Sequence, residues 1–310
     1  MDSSTRGGDA GIGTVLLSGA SGKLGKAIGE ALEQQGANTL RLVRREVWTP
    51  YEVRWKPSAE ELDVSRLEGL SAAIHLSGAN VSARRWTEAY KQEMTESRVG
   101  ATRFLSEALA RLDKPPAVLV SASAVGFYGD RGDELLDEDS PVGRGFFSDL
   151  CAAWEAATRP AEDAGIRIVH LRFGMVVGPG GGALAKLVPL FKLGLGGRLG
   201  NGRQWMSWIS QSDAAAAALF ALENPELTGG VNATAPQPVT NADFTRELGR
   251  AVHRPAIMTA PAFALRLAVG EMADEALLSS TRAVPKRLLD AGFIFAHPTI
   301  DQAFAAALAR

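Results

Sequence analysis

The sequence predicts an α/β protein: a doubly wound parallel sheet followed by a small, mainly helical C-terminal domain. Three observations carry this. The first two-thirds alternates short apolar runs with helical stretches, the pattern of βαβ units on a parallel sheet. The first apolar run, Thr14–Ser18, passes directly into Gly19-Ala20-Ser21-Gly22-Lys23-Leu24-Gly25 and then into a helix. After about residue 232 the texture changes, with Pro236, Pro238, Pro255 and Pro261 punctuating a mostly helical pattern.

Taken in order, residues 1–12 are polar and read as a disordered lead-in with no secretory signal. Residues 13–232 form the sheet domain, with strands expected at 15–18, 39–43, 72–76, 117–121 and 167–172. Helices are expected at 26–35, 88–112 and 148–164. In the long one, Val99, Thr102, Leu105, Leu109 and Leu112 recur at helical spacing, and Pro115-Pro116 stops it. Glycine-rich substrate-side insertions interrupt the alternation near 178–207. A strand is expected at 206–210, then a nearly pure alanine helix from Asp213. Residues 233–310 form the C-terminal domain.

Bulk composition narrows the function. With 310 residues and 46% hydrophobic content, the chain can build a substantial core. A net charge of −2 gives no reason to expect a nucleic-acid or membrane partner. Cys151 is the only cysteine, so no intramolecular disulfide can form, and a reducing, cytoplasmic setting is expected. Four histidines and one cysteine, scattered, argue against a metal site.

The glycine-spaced turn carries the first chemical expectation. Glycine turns tightly and lets the backbone approach a ligand closely. The helix that follows offers unpaired N–H groups and a positive dipole end to a pyrophosphate. The strand–turn–helix context marks a dinucleotide fingerprint of the Rossmann-like fold, spaced GxxGxxG, with Gly19, Ser21, Gly22, Lys23, Leu24 and Gly25 as its contacts. About twenty residues on, where an NAD site carries a carboxylate, the chain reads Leu42-Val43-Arg44-Arg45. Arg44 is suited to a 2′-phosphate, with Arg45 as a second charge, so NADP(H) is expected over NAD(H). Asp63 and Val64 either flank the adenine or begin a short helix.

Four segments in order then resemble the extended short-chain dehydrogenase/reductases of the epimerase/dehydratase-like group. They are the fingerprint, His75-Leu-Ser-Gly-Ala-Asn80, Ser121-Ala-Ser-Ala-Val-Gly-Phe-Tyr-Gly129 and Leu171-Arg-Phe-Gly-Met-Val-Val-Gly178. Arg84-Arg-Trp-Thr87, Glu96-Ser-Arg-Val99, Trp154-Glu155 and Gln204-Trp-Met-Ser-Trp208 resemble an atypical branch of that group. So does the ending, through Gly270-Glu-Met272, Val284-Pro-Lys286 and Leu289-Asp-Ala-Gly-Phe-Ile-Phe295, which is similar to that branch's C-terminal domain of unknown function. The resemblance adds Leu76, Ser77, Gly78, Arg98 and Ser121 to the expected cofactor contacts.

The resemblance implies a catalytic Asn, Ser, Tyr and Lys. Ser123 matches the Ser; it either donates to a substrate oxygen or is a strand-end hydroxyl bonded to backbone. Arg98 stands at the Asn position, as an anion anchor, a holder of the neighbouring loop or a surface arginine. Phe147 falls on the Tyr position and Cys151 on the Lys position, so the usual pair is missing. Cys151 is a candidate thiolate or a small buried apolar residue. Tyr128 is the nearest phenol, as a substitute proton donor or a loop anchor. On the substrate side Arg84, Trp86 and Trp205 suggest a planar or anionic small molecule, and a nucleotide sugar is not expected because Met206-Ser207 replace a common Arg-Asp pair. Two readings stay open: an NADP(H)-dependent oxidoreductase or epimerase-like enzyme, and a catalytically silent NADP(H)-binding sensor, each as monomer or homodimer.

Overall fold

An eight-stranded sheet runs through the centre of the computed structural model, which describes residues 12–309. The expected lead-in lies outside the described residues except for Ile12. The strands are β1 (Thr14–Ser18), β2 (Asn38–Val43), β3 (Glu52–Lys56), β4 (Glu61–Leu62), β5 (Ala72–His75), β6 (Val118–Ala124), β7 (Arg167–Phe173) and β8 (Gly229–Ala233). Their spatial order is β8-β7-β6-β5-β1-β2-β3-β4. All neighbours run parallel except β3 and β4. The chain starts at β1, winds outward through β2 and β3, and returns to β5 on the other side. The carboxyl ends of β1 and β5 therefore flank the switch in strand order, where such sheets bind ligands.

Both faces are covered, which is why the central strands read as continuous apolar runs. Helices in chain order are α1 (Lys23–Gln34), α2 (Glu88–Thr95), α3 (Ala101–Ala110), α4 (Phe146–Ala156), α5 (Arg159–Asp163), α6 (Gly182–Lys192), α7 (Gln211–Glu223), α8 (Asn241–Ala251), α9 (Ala262–Val269), α10 (Lys286–Asp290) and α11 (Ile300–Leu308). On one face Val15, Leu17 and Ile74 pack with Ile28 and Leu32 of α1 and the alanines of α7. Alanines let α7 lie close to the sheet. On the other face Leu16, Leu40 and Leu119 meet Leu105 and Leu109 of α3 and Ala161 of α5. A further core joins Leu184 and Phe191 of α6 with Trp208, Phe244 and Leu248 of α8, and Phe304 of α11.

Three expected elements are interrupted, and the sheet strands β3, β4 and β8 were not expected. The helix expected at 88–112 contains a π-helical turn, Glu96–Gly100, between α2 and α3. The one expected at 148–164 breaks between α4 and α5, where Pro160 lies in the first turn of α5 and has no N–H to continue the earlier ladder. The strand expected at 206–210 splits at Ser207. Trp205–Met206 pairs with Val239–Thr240, while Trp208–Ser210 pairs with Met175–Val177. Ser207 Oγ bonds across to the 281–283 backbone, its one hydrogen directed to the Thr281 carbonyl at 2.9 Å with the Ala283 carbonyl at 3.1 Å, and it accepts from Ala283 N. β3 was not expected: only Val53 and Trp55 mark its inner face, between Glu52, Arg54 and Lys56.

Candidate functional site

The glycine-spaced turn closes tightly at the end of β1. Gly19 has φ +70°, and a Cβ there would lie 3.0 Å from the Leu76 carbonyl carbon. A Cβ on Gly25 would sit 2.2 Å from the Gly19 carbonyl oxygen. Gly22 N donates to Gly19 O at 2.9 Å, and Gly22 caps α1 with no side-chain oxygen on its first turn. No acidic residue stands in that turn, so α1 presents free N–H groups. Ser21, Gly22 and Lys23 are exposed; Leu24 packs on the sheet. The Lys23 stem lies against Gly181.

Two polar rows cross the carboxyl ends of the strands because parallel register aligns them. The first pairs Ser18 with His75, His75 with Ser121 and Ser121 with His170. Ser18 Oγ lies 2.7 Å from His75 Nδ1 and accepts from Leu76 N at 3.0 Å, pinning β1 to β5 beside the turn. His75 is fully buried, and desolvation lowers its pKa to about 4, so the ring is neutral. Sequence reasoning missed this pin, although a lone His ending an apolar strand was its visible signal.

At the tip of β2, Arg44 is exposed and has no carboxylate partner among the described residues. Arg45 has one. Its two amino nitrogens reach Glu52 at 3.0 and 2.6 Å, and its guanidinium stacks 3.5 Å from the Trp48 ring. That hydrogen bond from Arg45, with one from Trp48 N, lowers the Glu52 pKa to about 2. Arg45, expected as a second phosphate charge, is held in this bidentate pair with Glu52. Asp63 precedes the 3-10 turn Val64–Leu67 and accepts from Ser65 Oγ at 2.6 Å.

Arg98 lies in the π-helical turn and is 8% exposed, not on the surface. It donates to the carbonyls of Ala79 at 2.8 Å and Met94 at 3.3 Å, and its guanidinium packs on Gly78, where a Cβ would stand 3.2 Å from Cζ. It faces the Trp154 ring at 5.1 Å and has no carboxylate partner among the described residues. Burial lowers its pKa. Through Gly78 it holds the segment Leu76-Ser77-Gly78 next to the Gly19 turn.

The second polar row pairs Ser123 of β6 with Arg172 of β7, and Arg172 with Asn232 of β8. Ser123 Oγ donates to Glu155 Oε1 of α4 at 2.7 Å. Arg172 clamps the same carboxylate through Nε and Nη2, both at 2.8 Å, and donates through Nη1 to Tyr128 Oη at 2.9 Å. Tyr128 Oη donates to Asn232 Oδ1 at 2.8 Å. The hydroxyl of Tyr128 is therefore saturated and fully buried, and desolvation raises its pKa. Its bonds to Arg172 and Asn232 tie the 125–128 turn to β7 and β8. Cys151 is fully buried, and desolvation pushes its thiol up to about 12, which favours the neutral thiol. Phe147 packs on Gly126, where a Cβ would meet the ring at 2.4 Å, and on Trp86 at 5.7 Å.

On the substrate side, Trp86 is buried and donates to the Val81 carbonyl, so it belongs to a packed cluster with Tyr90, Met94 and Leu150. Arg84 is exposed beside Glu93 at 3.3 Å. Trp205 lies apart from both: its Nε1 donates to Asp133 at 2.9 Å under the Arg282 guanidinium, 4.1 Å from the ring. Two C-terminal carboxylates grip this region. Glu271 pairs with Lys91 of α2 at 2.5 Å, and Glu275 accepts from Phe147 N at the start of α4 at 3.1 Å.

Comparisons with known proteins agree with this layout. Residues 15–233 match the model of the NAD dependent epimerase/dehydratase family, and residues 260–307 match a domain of unknown function, DUF1731. Epimerase family protein Mb2239 of Mycobacterium bovis is 46% identical over 296 residues, covering 96% of this chain and 98% of its own. The crystal structure of human epimerase family protein SDR39U1 with NADPH superposes with a TM-score of 0.88 at 32% identity, covering 95% and 98% of the two chains. A nucleoside-diphosphate sugar epimerase from Corynebacterium glutamicum has a TM-score of 0.80 at 34% identity over 95% of this chain and 58% of its own.

Proposed function

Because the chain belongs to the NAD-dependent epimerase/dehydratase family, we propose that it is an NADP(H)-binding oxidoreductase or epimerase-like enzyme for a small molecule, working without a Tyr–Lys pair. The observation that carries this is the bare first turn of α1 together with Arg44, exposed at the tip of β2 and without a carboxylate partner among the described residues, and Ser123 held at the end of β6. The NADPH bound to the human relative supports the same choice of cofactor.

The residues fit such a cofactor. Gly19 and Gly25 keep the turn closed, and the α1 amides bind phosphate oxygens. Arg44 pairs with a 2′-phosphate through a charge-assisted contact of about 1.5–3 kcal/mol. A bound nicotinamide supplies hydride transfer. The hydroxyl hydrogen of Ser123 already goes to Glu155, so Ser123 has only lone pairs left for a substrate. That polarity suits a substrate hydroxyl, whose proton passes to Ser123 Oγ as the Ser123 proton moves to Glu155. Arg172 holds Glu155 in line for it.

A second reading is a catalytically silent NADP(H) sensor, favoured by Phe147 and the neutral Cys151 at the Tyr and Lys positions. Purified protein offered NADPH with a panel of carbonyls, and NADP+ with the matching alcohols, separates the two. Turnover abolished by Ser123→Ala and retained by Cys151→Ala supports the enzyme. Tight cofactor binding with no turnover on either panel supports the sensor.

A further inference from the structure

Four exposed aliphatic side chains share one surface far from the glycine turn in sequence. Two segments build it. Leu195 N donates to Leu190 O, Met258 N to Gly196 O, and Gly197–Leu199 pairs with Met258–Ala260. Arg254 Nε donates to Lys192 O, closing the same join. On this joined surface Leu193 is 74% exposed, Ile257 81%, Leu195 57% and Met258 50%.

Cations surround these side chains. Lys192, Arg198 and Arg254 have no carboxylate partner among the described residues. Beside them opens a cavity of about 700 Å³ lined by four arginines and His253, with no carboxylate in its wall. Arg246 and Arg250 of that wall are paired with Asp243 and Glu247; Arg198 and Arg254 are the two left unpaired. The net charge of −2 for the whole chain hides this local excess.

We propose that this face docks on an anionic phospholipid surface. Exposed aliphatic side chains next to exposed, unpaired cations combine insertion among acyl chains with attraction to anionic headgroups. No helix of the described residues is long and apolar enough to cross a membrane, so the contact is interfacial.

Vesicle flotation decides it. The purified chain is mixed with vesicles of phosphatidylcholine containing about one-third phosphatidylglycerol, and with phosphatidylcholine alone. The expected result is binding at least about tenfold stronger to the anionic vesicles, weakened by salt. The double variants Leu193→Asp/Ile257→Asp and Arg198→Glu/Arg254→Glu each lose it, with thermal unfolding by circular dichroism showing that both remain folded. No binding to anionic vesicles overturns the proposal, as does binding that neither variant weakens. Binding to polyglutamate but not to vesicles overturns it in favour of an acidic protein partner. A dimer in solution that Leu193→Asp/Ile257→Asp dissociates, with no vesicle binding, overturns it in favour of self-association.

Discussion

Ser123 and Arg172 are register partners on neighbouring parallel strands, and both bond the same oxygen of Glu155, at 2.7 and 2.8 Å. One carboxylate on α4 thereby fixes a hydroxyl on β6 and a guanidinium on β7. The arrangement is nearly dry, with the Arg172 and Glu155 side chains 7% and 11% exposed. A buried pair of this kind contributes modestly when whole but costs heavily when halved, because the remaining charge has no partner.

Glu155→Ala should therefore destabilise the fold by about 3–5 kcal/mol, while Ser123→Ala should cost about 1 kcal/mol. Urea unfolding of the two variants measures both. Equal losses would mean that Arg172 does not depend on Glu155.

The two neighbouring arginines after β2 should separate in their effects. Arg44→Asp should remove an NADP(H) preference of at least about tenfold, since the lost contact is worth about 1.5–3 kcal/mol. Arg45→Ala should leave the preference in place and loosen the 45–52 turn, whose carboxylate it holds. Titrations of each variant with NADPH and NADH check this, and a preference that follows Arg45 would reverse the assignment.

Acid should weaken the fold through its buried histidines. His75 has a folded pKa of about 4 against an ordinary 6.5, so the unfolded chain binds more protons between those values. Stability is full above about pH 6.5 and falls as the pH drops towards 4, by roughly 3 kcal/mol from this ring. His170, also lowered by burial, acts in the same direction. Glu52, with a pKa of about 2, loses its contribution only at lower pH. Unfolding free energies measured across this window for the parent and His75→Gln should converge at pH 4. A parallel pair of curves would remove His75 as the cause.

Cys151 should be inert in the folded protein. Its thiol is fully buried with a pKa of about 12, so a thiol reagent should react only after denaturant is added. Fast labelling of the native chain would show a thiolate where none is expected.

The sequence made the sheet legible where its code is local. The apolar run of β1, the glycine spacing that follows it and the adjacent arginines at the tip of β2 are each coded within a few residues, and β1, α1 and β2 fall where expected. β3 escaped because it lies near the sheet edge and alternates charge with only two inward apolar residues. The Glu155–Arg172 clamp escaped for another reason: its members come from a helix and a strand, and only strand register brings Ser123, Arg172 and Asn232 into one row. One signal was present, an arginine between Leu171 and Phe173 in a central strand, which requires a partner. Tyr128 and Cys151 looked available in sequence because burial is a tertiary property; the folded chain encloses both.

The most direct measurement is calorimetric titration of the purified chain and its Gly25→Val variant with NADPH and NADH. The account predicts that the parent binds NADPH at least about tenfold more tightly than NADH. It predicts that the variant, whose new Cβ would lie 2.2 Å from the Gly19 carbonyl oxygen, binds neither. Absence of heat from the parent with either cofactor, or an unchanged NADPH affinity in Gly25→Val, would contradict it.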